Sequence, residues 1–131
     1  MVTTESHANN YLTTADNGRA HMLVDAPRAK GGGEQGFGPH ELLEAALATC
    51  INIAVRMEAV ARGIALEGVT SKVRLERSEV SVARFEYVLT LAGDLTAVDR
   101  KALQDAADSC PVRKTLSKTI QFQACNDRSP A

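Results

Sequence analysis

Residues 38–63 read GPHELLEAALATCINIAVRMEAVARG, and this stretch decides the fold. Gly38 and Pro39 suit the start of a helix, because proline is favoured at the first helical position, and the next residue that would end a helix is Gly63. The stretch therefore predicts a helix from Pro39 to Arg62, which at about 1.5 Å per residue would be roughly 35 Å long. Its apolar residues cover most of the circumference, which predicts a central helix buried on several sides.

A sheet is the expected partner of this helix, because segments with alternating polarity follow it. Thr96 and Asp99 form the pattern of a capping box before a second helix, and Cys110 with Pro111 begins a third. In chain order, the predicted elements after the long helix are strands at 66–77 and 83–92, helices at 96–108 and from 110, and a last strand at 119–124.

The segment before the helix predicts a hairpin and a loop. Residues 11–15 and 20–24 alternate in polarity on either side of Asp16-Asn17-Gly18, which is typical of a β-hairpin turn. Residues 26–38 read APRAKGGGEQGFG, contain five glycines and lack periodicity, so a flexible loop is expected there. At the other end of the chain, the polar residues 126–131 predict a disordered tail.

Composition limits the classes of protein to be considered. The chain has 131 residues, a size that suits one domain spanning residues 1–131, and its 15 basic and 16 acidic residues are well mixed. This charge pattern argues against binding to nucleic acid or to anionic lipid. We expect a cytoplasmic protein, because no apolar run approaches the roughly 18 residues of a membrane span and the polar start lacks a signal-peptide core.

The three cysteines are too few and too dispersed for a disulfide-stapled secreted domain. Cys110 is expected at a helix start, where backbone N–H groups and the helix dipole favour the thiolate, with Arg113 adding positive charge and Asp108 opposing it. The alternative for Cys110 is a half-buried structural residue. Cys50 lies in ALATCINIA among small residues that would let a ligand approach, although a cysteine in this setting, taken alone, is more often core filling. Cys125 is given no role.

No metal or cofactor site is expected. His7, His21 and His40 are isolated, and the chain has no Cys-x-x-Cys motif. The three glycines at 31–33 are not followed by the Lys-Ser or Lys-Thr of a phosphate-binding loop, and the dinucleotide fingerprint is absent.

Two segments resemble the cysteine motifs of the OsmC/organic-hydroperoxide-resistance family, in its OsmC-like branch. They are GPHELLEAALATC, which ends in Cys50, and ADSCPVRKTLSKTIQF, which contains Cys110. The order of elements is similar as well, with an N-terminal β-meander and a glycine-rich loop before the long helix. The resemblance implies an intertwined α+β homodimer with antiparallel sheets, a buried central helix and the reactive cysteines at the subunit interface.

The activity that the resemblance implies is thiol-dependent reduction of organic hydroperoxides, with hydrogen peroxide as a second candidate substrate. Cys50 would be the peroxidatic cysteine that becomes a sulfenic acid, and Cys110 would resolve it as a disulfide. An external dithiol, such as a dihydrolipoyl protein, would then restore both thiols.

One departure from the family pattern concerns the residues expected to assist the peroxidatic cysteine. The family has a glutamate directly after the proline of the motif, where it holds an arginine, whereas this chain has His40 there and the carboxylate, Glu41, one residue later. Both lie roughly 14–15 Å along the helix from Cys50, so they would act most easily on the partner subunit. Arg19 is the first candidate for the family arginine and Arg28 the second, unless both are simply exposed arginines without a role.

Two other functions fit the same residues. One is a non-catalytic dimer that binds a small apolar or electrophilic molecule. The other is a thiol redox sensor, which would cycle between dithiol and disulfide but reduce peroxide slowly.

Overall fold

The computed structural model describes residues 1–126, so the tail predicted for 126–131 lies outside the described residues except for Asn126. The fold is α+β, as predicted, with an antiparallel three-stranded sheet in the order β1-β2-β3 and an antiparallel two-stranded sheet β4-β5. Within residues 1–126, no helix has the length and apolar character that crossing a membrane would require. The elements are β1 (Thr3–Ser6), β2 (Thr13–Asp16), β3 (His21–Val24), a short 3-10 helix (Arg28–Lys30), α1 (Pro39–Arg62), β4 (Gly68–Glu76), β5 (Arg84–Ala92), α2 (Ala97–Asp108) and α3 (Pro111–Leu116).

Helix α1 has the bounds that its sequence predicts. Gly38 precedes it in an extended conformation, and Gly63 ends it with a φ of 64°, in the left-handed region that glycine adopts without strain. Burial on several sides is not found within one chain. The buried residues follow one stripe of the helix, whereas Val60 on another side is 81% exposed, together with Ile53 and Met57. The stripe consists of Leu47, Ile51, Val55 and Ala59.

The core lies where α1 packs against α2 and the β4-β5 sheet. Leu103 and Ala107 of α2 join the buried stripe of α1, and Cys110 completes the cluster. The predicted capping box is present, because the Thr96 hydroxyl accepts from the N–H of Asp99 and the Asp99 carboxylate accepts from the N–H of Thr96. Alternate residues of the sheet face this core, among them Val69, Val73, Phe85, Tyr87, Leu89 and Leu91.

The first sheet stands apart from this core. None of its residues belongs to the core cluster, and its strands do not pack extensively against the helices or against β4-β5. The hairpin predicted at Asp16-Asn17-Gly18 is present as β2 and β3, and Gly18 has a φ of 89° in the turn. Strand β1, which pairs with β2, was not indicated by the polar pattern of its residues, although the family resemblance implied a meander.

The glycine-rich loop is organised around a buried carboxylate. Asp25 accepts hydrogen bonds from the backbone N–H groups of Ala26, Gly33 and Gln35. A Cβ atom at Gly36 would lie 2.0 Å from the Leu23 carbonyl oxygen, so this close approach requires glycine. The loop includes the short 3-10 helix, which its sequence did not indicate.

The predicted strand at 119–124 is wrong for a single chain. Residues 119–126 form no regular element, and Phe122 is 95% exposed. A strand needs an edge with which to exchange backbone hydrogen bonds, and among residues 1–126 no strand pairs with this segment. The alternating pattern of Ile120, Phe122 and Ala124 therefore indicates an apolar face without a partner in its own chain.

Candidate functional site

Folding brings together two of the three cysteines, although they are sixty positions apart in the sequence. Cys50 is half-buried in the middle of α1, and Cys110 is the residue directly before α3. Cys50 packs against the buried cluster that contains Cys110, and the two thiols are close enough for Cys50 to raise the pKa of Cys110. In addition, the backbone N–H of Val112 points at Cys50 Sγ, with a nitrogen–sulfur distance of 3.4 Å. Both cysteines are free, and the third, Cys125, is exposed elsewhere.

The turn of α1 that carries Cys50 is fixed by hydrogen bonds to β4 on either side of it. The Ser71 hydroxyl donates to the carbonyl oxygen of Ala48 at 2.7 Å, and the Asn52 amide donates to the carbonyl oxygen of Val69 at 3.1 Å. The neighbouring Ile51 is buried in the core. These contacts hold the backbone of this turn, and with it the Cα atom of Cys50, in place beside β4.

Cys110 occupies the junction between α2 and α3. The second helix ends at Asp108, and Pro111 begins the third, so Cys110 is extended with φ −63° and ψ 149°. Proline suits the first helical position and excludes a helical conformation for the residue before it, which explains why one continuous helix does not form. This geometry directs the first N–H groups of α3 toward the two sulfur atoms.

Burial raises the pKa of the Cys110 thiol, and proximity to Cys50 raises it further. Hydrogen bonds from the N–H groups of Arg113 and Val112 oppose these effects but are outweighed. The helix start does favour the Cys110 thiolate, but the net shift is in the opposite direction, because the residue is only 1% exposed and loses the solvation that a charged sulfur needs. Cys110 is a buried thiol that holds its proton more firmly than a free cysteine.

A polar cluster next to the cysteines was missed by sequence reasoning. The Tyr87 hydroxyl donates to Asp108 Oδ1 at 2.5 Å and accepts from Arg113 Nη1 at 2.5 Å. Gln104 donates to the same Asp108 oxygen at 3.0 Å. Burial and then the hydrogen bond to Asp108 raise the pKa of Tyr87. The sequence does contain one sign of this cluster. Tyr87 is the one residue with a hydroxyl group on the apolar face of β5, and a partly buried hydroxyl needs a hydrogen-bonding partner.

The three assisting residues named from the family pattern do not meet the cysteines within one chain. Glu41 accepts a hydrogen bond from the N–H of Gly38 at 2.9 Å and so caps its own helix, while His40 is exposed next to it. Both line a cleft of about 840 Å³ between α1 and the first sheet, to which neither cysteine contributes. Arg19 is exposed in the β2–β3 turn, and Arg28 pairs with Glu34 at 3.4 Å.

Metal ligands are not grouped in the described part of the chain. Across residues 1–126, no cluster of three or more histidine, cysteine, aspartate or glutamate side chains is placed to hold a metal ion.

Comparison with known proteins identifies the fold and the family. Residues 31–124 match the family model described as OsmC-like protein, which is well over half of the chain. The chain belongs to the OsmC-like protein family. The match includes both cysteines of the pair and both segments on which the resemblance rested. No curated protein matches this chain.

Solved structures of similar proteins share the fold at low sequence identity. A protein from Psychrobacter arcticus 273-4, proposed to act in osmotic stress and detoxification responses, has a TM-score of 0.75 at 23% identity, with 87% of this chain and 85% of that chain covered. An OsmC-like protein from Mycoplasma pneumoniae has a TM-score of 0.74 at 18% identity, with 88% and 85% covered. The organic hydroperoxide resistance protein OhrB of Bacillus subtilis has a TM-score of 0.60 at 22% identity, with 89% and 90% covered.

Proposed function

We propose that this OsmC-like protein reduces organic hydroperoxides, with Cys50 as the peroxidatic cysteine and Cys110 as the resolving cysteine. The observation that carries the proposal is that folding brings these two free thiols into one cluster, with the Val112 N–H, two residues after Cys110, directed at Cys50 Sγ. The peroxide-related names of relatives such as OhrB support the same redox role. Hydrogen peroxide is a second candidate substrate.

The first step of the proposed cycle takes place at Cys50. Its thiolate attacks one oxygen of the peroxide, so that a sulfur–oxygen bond forms and the oxygen–oxygen bond breaks. The other oxygen leaves with the substrate's alkyl group and takes up a proton to become an alcohol. Cys50 is left as a sulfenic acid, and the backbone N–H of Val112 is in position to donate a hydrogen bond to groups on its sulfur.

The second step joins the two cysteines. Cys110, as the thiolate, attacks the sulfur of Cys50, so that a disulfide forms and the sulfenic oxygen leaves as water. Because Cys110 is buried, external oxidants reach it less easily than they reach the half-buried Cys50. This difference in access is the reason for assigning the first step to Cys50.

A dithiol completes the cycle. One of its thiolates attacks the Cys50–Cys110 disulfide, and its second thiol then displaces the protein, which leaves both cysteines reduced and the dithiol oxidised. A dihydrolipoyl protein is the proposed reductant. Thiols that are free at rest suit a reducing compartment, so a cytoplasmic location is part of the proposal.

The proposed assembly is a homodimer. The open side of α1 exposes Ile53, Met57 and Val60 around an apolar hollow of about 400 Å³. Exposed apolar patches of this kind mark protein interfaces. In a dimer, His40 and Glu41 of one chain would assist Cys50 of the other, and Arg19 would supply the positive charge.

The test is a count of free thiols and an intact mass, before and after one equivalent of cumene hydroperoxide. The reduced protein is expected to lose two hydrogens, with the crosslink mapped to Cys50 and Cys110. Cys110→Ser should instead accumulate a sulfenic acid at Cys50, and Cys50→Ser should lose peroxide consumption. Cys125→Ser is the matched control and should behave like the unmodified chain. Full peroxide consumption by Cys50→Ser would end the proposal.

A thiol redox sensor is the second candidate, and the position of Glu41 favours it. Glu41 is engaged by the N–H of Gly38 and lies roughly 14 Å along the helix from Cys50 of its own chain. A pair of thiols without an activating side chain would still form a disulfide, but slowly. Stopped-flow peroxide consumption separates the two functions, because a sensor would form the same crosslink at a rate too low for turnover. Thiols that do not react at all would point instead to a non-catalytic binding protein.

A further inference from the structure

We infer that Tyr87 is a positioning residue, whose hydroxyl sets how fast Cys110 closes a disulfide onto Cys50. The inference deepens the proposed function and rests on the proposed role of Cys110 as the resolving thiol. It comes from the way in which one hydroxyl group joins the two sides of the junction that contains Cys110.

The contacts of the hydroxyl span that junction. Asp108, which accepts from it at 2.5 Å, is the last residue of α2, and Arg113, which donates to it at 2.5 Å, lies in the first turn of α3. These two residues precede Cys110 by two positions and follow it by three. Tyr87 is thus hydrogen-bonded to both helices whose meeting point carries the buried thiol.

Tyr87 can act as a fixed point because its strand is anchored independently of the junction. It pairs with Val73 in the regular register of β4 and β5, and its ring packs against the core. Asp108 and Arg113 approach each other at 3.7 Å, so the hydroxyl lies between opposite charges. Removing the hydroxyl while keeping the ring would remove both hydrogen bonds to the helices and leave the ring's packing intact, including the Arg113 guanidinium 5.8 Å from its centroid.

The position of α3 matters because formation of a disulfide tolerates little displacement. The Cα atoms of bonded cysteines lie within a narrow range of separations, and the attacking sulfur must approach in line with the bond that it breaks. A misplacement of about 1 Å can slow such an intramolecular reaction by about 100-fold. Losing hydrogen bonds to two charged groups is expected to slow the closure by about tenfold, since part of the loss is made up by water.

The experiment follows disulfide closure without peroxide. The reduced protein, carrying Cys125→Ser so that only the pair reacts, is mixed with dithiobis-nitrobenzoate. The Cys50 thiolate attacks the disulfide of the reagent, which forms a mixed disulfide and releases one coloured nitrothiobenzoate. Cys110 as the thiolate then attacks the Cys50 sulfur, which forms the Cys50–Cys110 disulfide and releases a second nitrothiobenzoate. The second release therefore measures the closure directly.

Tyr87→Phe is expected to slow the second release about tenfold and to change the first much less, through the Val112 N–H that α3 directs at Cys50. The matched control is Tyr11→Phe, which changes the other tyrosine of the chain and should alter neither release. Arg113→Met removes the other side of the same contact and should also slow the second release. The double variant should be slowed by less than the product of the two single effects, because both substitutions remove the hydrogen bond between Arg113 and Tyr87. A residue with only a general structural role would change both releases together.

Each result bears on the inference. Equal second-release rates in Tyr87→Phe and the unmodified chain would overturn it and leave the proposed function standing. The absence of a second release from the unmodified chain would overturn both the inference and the resolving role of Cys110. Normal closure in a protein that does not consume peroxide would remove the proposed function while the role of Tyr87 stands. Circular dichroism of each variant distinguishes a slowed closure from an unfolded chain.

Discussion

The two halves of the molecule differ in how much of their apolar surface is buried within one chain. The part from α1 to α3 has its own core, in which Leu47, Ile51 and Leu103 are almost fully buried, and this part contains the cysteine pair. The first sheet contributes nothing to that core, and of its strands' residues only Val24 is buried. The difference teaches that one chain is sufficient to assemble the thiol pair. The residues proposed to assist it depend on surfaces that one chain leaves open.

The largest expected effect comes from matched leucine substitutions in the two halves. Leu103→Ala should lower the free energy of unfolding by about 2–5 kcal/mol, because it leaves a cavity at a side chain that is 0% exposed. Leu23→Ala in β3, where the leucine is 43% exposed, should cost much less. Urea denaturation of both variants measures the difference. Equal losses would mean that the first sheet is as tightly packed as the core.

A charge on the open side of α1 tests whether that side is an interface. Met57→Asp should weaken self-association by at least about 30-fold, since burying an unpaired carboxylate costs roughly 2 kcal/mol or more. Light scattering over a range of protein concentrations provides the measurement. Arg100→Glu, on an exposed position of α2, is the charge-changing control. A monomer in the unmodified chain would contradict the proposed dimer.

A substitution in the glycine-rich loop should destabilise that loop without destabilising the rest of the fold. Asp25→Ala removes the acceptor of three backbone N–H groups and should destabilise the loop by about 1–3 kcal/mol. Faster hydrogen exchange at Gly33 and Gln35, with unchanged exchange in α2, is the expected result. Glu34→Ala removes an exposed ion pair with Arg28 and one hydrogen bond from the Arg28 backbone N–H, and should have a smaller effect. Faster exchange throughout α2 would show that the loop supports the core.

The smallest expected effect is a dependence of stability on pH. Because the folded state raises the pKa of Cys110 above its ordinary value of 9.0, folding favours the protonated thiol. The resulting stabilisation is complete below that value and is lost as the pH rises through the raised pKa. The free energy of unfolding of the reduced protein should therefore fall from about pH 9 upward, and less steeply in Cys110→Ala. Identical slopes would remove Cys110 as the cause.

Local patterns were sufficient to predict the helices but not the contacts between distant residues. The bounds of α1 and the capping box at Thr96 follow from residues within a few positions of each other, so the sequence predicts them closely. The contact of Tyr87 with Asp108 and Arg113 depends on how β5 packs beside two helices, which no local pattern contains. Burial of Cys110 has the same origin and reverses the expected direction of its pKa.

The strand predicted at 119–124 failed for a related reason. Alternation along Ile120 and Phe122 correctly marks an apolar face, but no strand within residues 1–126 pairs with this segment. The apolar circumference of α1 was likewise interpreted as burial, although one chain covers only one stripe of it. In both cases the pattern reports that a surface is apolar and not which chain covers it.

Because Cys50 and Cys110 are far apart along the chain, the redox state of the pair also affects how long the folded protein survives. A disulfide between them would close a ring of about sixty residues and reduce the conformational freedom of the unfolded chain, a gain of roughly 4 kcal/mol for the folded state. The oxidised protein would then unfold less often than the reduced one, and proteases would cleave it more slowly. Oxidant exposure would thus lengthen the lifetime of the molecule that has just reacted, until a reductant restores its thiols.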